Sequence, residues 1–208
     1  MTLSTTPSPT IRPARTDDTA EVDRLYDICL RTGDSGQDAS GQYSDPRLIG
    51  EIYLGAYLAL EPDLAFVLDD GTGPVGYVVG TQDTAAFEAR CAREWWPPLR
   101  QRYPRGAFAE GSPDAQLVGQ VHAPRTTDRS IATAYPAHLH VDLLPQAQGG
   151  GNGRRLLQTL FDALRARGVS GLHLGVAPGN TAAIGFYRHL GFTELDTPDG
   201  GLVLGLRL

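Results

Sequence analysis

An α/β domain is what the 208-residue sequence predicts, and three stretches carry the prediction. Over 138–144 (HLHVDLL), Leu139, Val141 and Leu143 alternate with His138, His140 and Asp142 at the period of a strand, which Pro145 stops. Beyond a glycine cluster, Leu156, Leu157, Leu160, Phe161 and Leu164 mark one face of a helix that Gly168 would close in a left-handed cap. LHLGV at 172–176 then reads as a buried strand, so strand, helix and strand follow one another directly.

The remaining elements follow in chain order. Residues 1–9 are rich in Ser, Thr and Pro with nothing to bury, and are expected to form a mobile tail before a single domain over 10–208. Ile11 and Arg12 open a short strand. Asp18 with Glu21 forms an Asp-led variant of the capping box ahead of Val22, Leu25, Ile28 and Cys29, which share a helix face. TGDSGQDASGQYS (32–44) is loop by composition. Asp45 and Pro46 suit the cap and first turn of a second helix whose buried face is Leu48, Ile49, Ile52, Tyr53 and Leu60. LAFVL (64–68) and PVGYVVGT (74–81) flank a DDGTG turn and predict a hairpin. In the insert 84–137, Phe87, Cys91 and Trp95 recur at helical spacing until Pro97-Pro98, and 106–135 reads as a long loop. Arg90, Arg93, Arg100, Arg102 and Arg105 could receive an acidic acceptor there or simply be solvated. Leu202–Leu208 supplies a last strand.

Composition narrows the function. A chain of this length buries roughly 70% of its unfolded surface in one core. A net charge of −6 argues against nucleic acid or an anionic membrane as partner. Cys29 and Cys91 lack metal or redox neighbours and read as buried thiols, so no metal is expected. No apolar stretch approaches the roughly 20 residues of a membrane span, and MTLSTTPSPT lacks the pattern of a signal peptide, so a cytoplasmic location is expected. The oligomeric state stays open.

The glycine cluster is the chemical centre. Gln148, Gly151 and Gly153 fall in the spacing Q/RxxGxG, with Gly149 and Gly150 between them and Asn152 inside the motif. Inward-pointing amides and a helix start suit a pyrophosphate. A Walker loop would need a lysine, and all 18 basic residues are arginine. A dinucleotide fingerprint started at Gly149 meets Arg154 where its third glycine belongs, and started at Gly151 it meets Leu156. Further on, Asn180, Ala183, Ile184, Tyr187, Gly191 and Phe192 fit NxxAIxxYxxxGF.

These two motifs, in this order, resemble the GNAT acetyltransferases. The runs RPARTDDTAEV, DPRLIGEIYL, FVLDDGTGPVGYVVGTQD and YPAHLHVDLLP further resemble the acetyltransferase-like domain at the C-terminal end of eukaryotic O-GlcNAcases, over 10–208. In that domain the coenzyme loop is degenerate; here it is complete, as in a free-standing bacterial relative, and sugar hydrolysis is not implied. The resemblance implies a mixed, mostly antiparallel sheet of six or seven strands with helices on both faces, splayed between the strands at 138–144 and 172–176. It implies acetyl-CoA as co-substrate and an amine of unknown identity as acceptor. Amides of 149–153 would hold the pyrophosphate, main-chain groups near Leu143 the pantetheine arm, and Arg154, Arg155, Asn180 and Ala183 would border the coenzyme. Tyr187 would be the general acid, and Asp142 or His140 the base, with Asp83 next in line. The alternative is a regulatory module that binds acetyl-CoA without catalysis.

Overall fold

The computed structural model describes residues 8–197 and 201–208; most of the expected tail, 1–7, lies outside them. One seven-stranded sheet runs in the order β1-β2-β3-β4-β5-β7-β6, with β1 Thr10–Pro13, β2 Ala65–Asp69, β3 Pro74–Thr81, β4 Ala137–Leu143, β5 Gly171–Gly175, β6 Thr193–Leu195 and β7 Val203–Arg207. Every neighbouring pair is antiparallel except β4 and β5. This is the mixed, mostly antiparallel sheet expected.

Alternation sorts the side chains of the central strands onto two cores. Val67, Tyr77 and Val79 face one apolar cluster with α1 (Thr19–Arg31), α2 (Leu48–Tyr53), α3 (Gly55–Leu60) and the insert. Leu68, Val78 and Leu139 face the other, with α8 (Asn152–Ala166) and α9 (Thr181–His189). All eight residues of β3 are buried, which explains why that strand reads as a nearly continuous apolar run.

Between β4 and β5 only Ala137↔Leu172 and His138↔His173 pair, and β4 then runs on to Leu143 beside β3 alone. The Leu144 amide donates to the Val75 carbonyl at 2.9 Å. By ladder alternation, the main-chain groups of Val141 and Leu143 therefore point the other way, into the gap.

Several local expectations are corrected. Asp18 does cap α1, accepting from the amides of Ala20 and Glu21, but Glu21 does not close a box. Its buried carboxylate instead takes Arg12 and Arg15, because a buried charge needs charged partners more than one exposed amide does. The expected single second helix breaks at Leu54 (φ −134°) into α2 and α3. Pro97 and Pro98 do not stop a helix; they stand in the first turn of α5 (Trp96–Arg102), directly after a wider, π-helical turn. That helix continues α4 (Thr84–Arg90) through a π-helical stretch, Cys91–Trp95. The supposed loop 106–135 contains α6 (Pro113–His122) and α7 (Arg129–Ala134), capped by Ser112 and Asp128, with Leu117, Val118, Val121 and Ile131 buried. Order also extends back to Pro9, whose carbonyl accepts from Arg155. Both cysteines are free, buried thiols. Among the described residues no helix is long and apolar enough to cross a membrane, and no group of His, Cys, Asp and Glu could hold a metal ion.

Candidate active site

The glycine loop forms an anion cradle. Gly149, Gly150 and Gly151 stand at φ 78°, 57° and 79°, a run of left-handed residues that side chains would strain at every step. Gly151 caps α8 without a side-chain bond, and among the described residues the amides of Gly149, Gly150, Gly151, Gly153 and Arg154 have no hydrogen-bond partner. Those open donors lie at the positive end of a 15-residue helix. Gly153 is needed for space: a Cβ there would lie 3.2 Å from the Phe186 ring on α9. The other motif residues brace the loop. Gln148 Nε2 donates to the Leu143 carbonyl at 3.0 Å, and Asn152 Nδ2 to Ala147 at 3.0 Å. Arg155 spans Asn152 and Pro9, whereas Arg154 lines a cleft of about 180 Å³ with Arg165, His189 and Arg207 on the flank of α8.

The second motif builds α9. Asn180 caps it, its side chain accepting from the Ala183 amide at 3.1 Å, and half-buried Ala183 packs on the core beneath. Tyr187 is 8% exposed, wedged between Phe186 and Phe192, and its hydroxyl makes no hydrogen bond among the described residues. Burial, and then the Asp142 carboxylate, push its phenol well above the ordinary value.

On the opposite face of β4, His138, His140 and Asp142 form a row, and their environments separate them. His138 Nε2 is 2.5 Å from the Tyr57 hydroxyl and Nδ1 2.8 Å from that of Thr84, so it is held in place and kept neutral by burial. The His140 ring lies 5.8 and 5.4 Å from the rings of Tyr53 and Tyr57 and has no hydrogen-bond partner among the described residues; burial takes it down to about 4. Asp142 accepts from the Tyr77 hydroxyl at 2.5 Å, and burial raises its carboxyl to about 6. A base works best with a pKa near the operating pH, so the environment favours Asp142 over His140. Tyr77 escaped the sequence reading because the β3–β4 register that sets it opposite Asp142 is not a local property.

Other expected residues serve the scaffold. Asp83 caps α4, accepting from Ala86. Arg100 donates to the Val121 carbonyl, and Arg102 pairs with buried Glu51 at 2.9 Å. Arg90 donates to the Leu60 carbonyl, and Arg93 lies 3.7 Å from Glu94. Arg105 borders a separate cleft of about 120 Å³ with Phe108 and Val118. The insert reaches the histidine row directly through Thr84 and Phe87, which meet His138, and indirectly through Gln120, which accepts from the Tyr53 hydroxyl beside His140.

The sequence model of the acetyltransferase (GNAT) family matches residues 36–192. Protein O-GlcNAcase of Rattus norvegicus is 28% identical over 193 residues, which is 92% of this chain and 21% of the relative, so the chain spans about a fifth of that protein's length. Mycothiol acetyltransferase of Rhodococcus erythropolis is 37% identical over 112 residues, 52% of this chain and 35% of the relative. The crystal structure of SsHAT superposes with a TM-score of 0.88 at 44% identity, over 97% of this chain and 98% of that one.

Proposed function

From the premise that the chain belongs to the GNAT acetyltransferase family, we propose that it transfers an acetyl group from acetyl-CoA to a primary amine by direct attack on the thioester. The observation that carries the reading is the open gap between β4 and β5, beside which five amides of the glycine loop stand without partners among the described residues. The residues fit the coenzyme: a loop with five unpartnered amides and no side chains at 149–151 can approach a pyrophosphate closely. When bound, acetyl-CoA supplies an activated acetyl group and a thiolate leaving group.

This chain's own groups do the rest. The amides of 149–153 hold the diphosphate, and the main chain of Val141 and Leu143 orients the pantetheine arm in the gap. An alkylammonium of pKa about 10.4 must lose a proton before it attacks, and ionised Asp142 accepts that proton. A new C–N bond forms as the C–S bond breaks; Tyr187, its raised phenol protonated throughout the physiological range, protonates the departing sulfur, and the second proton shed by the acylated nitrogen restores the phenol through solvent. His140, neutral and set between two tyrosine rings, borders the acceptor's approach rather than taking the proton.

Thiol release from acetyl-CoA across a panel of alkylamines, amino acids, aminosugars and peptides tests the reading, with calorimetry of acetyl-CoA alone beside it. Acceptor-dependent release supports transfer. A second reading, an acetyl-CoA-binding regulatory module, is favoured by the long match to proteins named for another activity. Tight binding without release on any acceptor would select it.

A further inference from the structure

We propose that Tyr77 is a positioning residue for acetyl transfer, its hydroxyl orienting the Asp142 carboxylate from the neighbouring strand and keeping it ionised; this rests on Asp142 as the amine's base. Tyr77 is fully buried in the middle of β3, and in the β3–β4 register it stands directly opposite Asp142. Phenylalanine would fill that position without a buried polar group, and burying an unpartnered hydroxyl costs about 1–3 kcal/mol. The hydroxyl is therefore present for a partner, and the partner at 2.5 Å is Oδ2 of Asp142. Approach is close because position 76 is glycine: a Cβ there would lie 2.9 Å from the Asp142 carbonyl.

The other groups facing Asp142 cannot substitute for Tyr77. From α1 and the residue after it come the Cys29 thiol, buried and pushed up to about 12, and the Thr32 hydroxyl, which lowers the Asp142 carboxyl less than Tyr77 does and gives its proton to the Ile28 carbonyl. From α9 comes Tyr187, still protonated. On β4 itself His140 is neutral above about 4. No cation is among these groups, so the hydrogen bond donated by Tyr77 is what offsets part of the burial that favours the carboxylic acid. Holding one oxygen also fixes the carboxyl plane, leaving the other oxygen for the amine.

Tyr77→Phe is the test, read as a pH profile. The acid limb of kcat/KM should move up by about one pH unit, giving roughly a five- to tenfold loss at pH 6 that closes toward pH 9, with acetyl-CoA affinity unchanged. A profile superimposable on wild type overturns the proposal. If no acceptor is turned over, the transfer reading fails separately, and the carboxyl titration of Asp142 by carbon NMR, assigned with Asp142→Asn, still decides: it should rise by about one unit in Tyr77→Phe, and no shift overturns the proposal. Should Tyr77→Phe not fold, the Tyr77 hydroxyl proton of the wild type should resonate far downfield and move upfield in Asp142→Asn; its failure to move also overturns it.

Discussion

Asp142 is both the proposed base and a cost to the fold. Its folded carboxyl titrates near 6, about two units above that of an unfolded aspartate, so the native state holds the extra proton between roughly pH 4 and 6. The stability conferred by the neutral acid is full below about pH 4 and is lost as pH rises through 6. Asp142→Asn, neutral at every pH, should therefore be more stable than wild type at pH 8 by at most about 3 kcal/mol, and no more stable at pH 3.5. Urea unfolding at the two pH values reads the difference. In the same variant kcat/KM should fall about 10²-fold at neutral pH and partly recover when the amine is already neutral, whereas His140→Gln should do little. Equal loss in both variants would return the base assignment to the histidine row. Tyr187→Phe should lower kcat by about 10² with acetyl-CoA affinity nearly unchanged, because the ring stays packed on Phe192 and only the proton is removed. The identities of these residues were legible in the sequence, since motif and strand parity place them. Their protonation was not, since it depends on Tyr77, Tyr53 and Tyr57 arriving from other elements.

Loops and helices divide by how local their determinants are. Three successive left-handed residues before a helix can be read from GGG alone, and the gap's shape follows from the strands on either side. Gly151→Val, at φ 79°, and Gly153→Val, against Phe186, should each weaken acetyl-CoA binding at least tenfold by calorimetry on folded protein. Affinity equal to wild type in both would remove the cradle from the mechanism. The insert shows the opposite case. Ser112 and Asp128 are ordinary helix caps, but α6 and α7 are short and their apolar faces make sense only once α2, α4 and α5 are beside them. Of the arginines that looked like an acceptor surface, Arg90, Arg100 and Arg102 instead tie neighbouring elements together through Leu60, Val121 and Glu51. Arg102→Gln should cost about 1 kcal/mol in unfolding experiments by leaving buried Glu51 with the Tyr26 hydroxyl alone, while Arg105→Gln, with no ion pair among the described residues, should leave stability unchanged within about 0.5 kcal/mol. Similar stability in the two variants would show that the Glu51 pair contributes nothing.

At the scale of the molecule, one sheet separates two cores; the family resemblance implied helices on both faces, and β3, buried along its whole length, is covered from both sides. The chain has no lysine, so it offers no ε-amine to the acetyl donor it is proposed to use. After incubation with acetyl-CoA, intact-mass analysis should show no lysine-type acetyl adducts, and background in any acceptor assay should be low. The parting of β4 from β5 has a consequence in time as well as space. Val141 and Leu143 offer amides in the middle of a sheet with no strand across from them, so in the free protein they should exchange with deuterium as an edge does. The amides of His140 and Asp142, turned toward β3, should exchange as slowly as the global unfolding reaction allows. Occupation of the gap should close that difference, and the two interleaved sets of amides make β4 its own internal clock for how long the sheet stays whole.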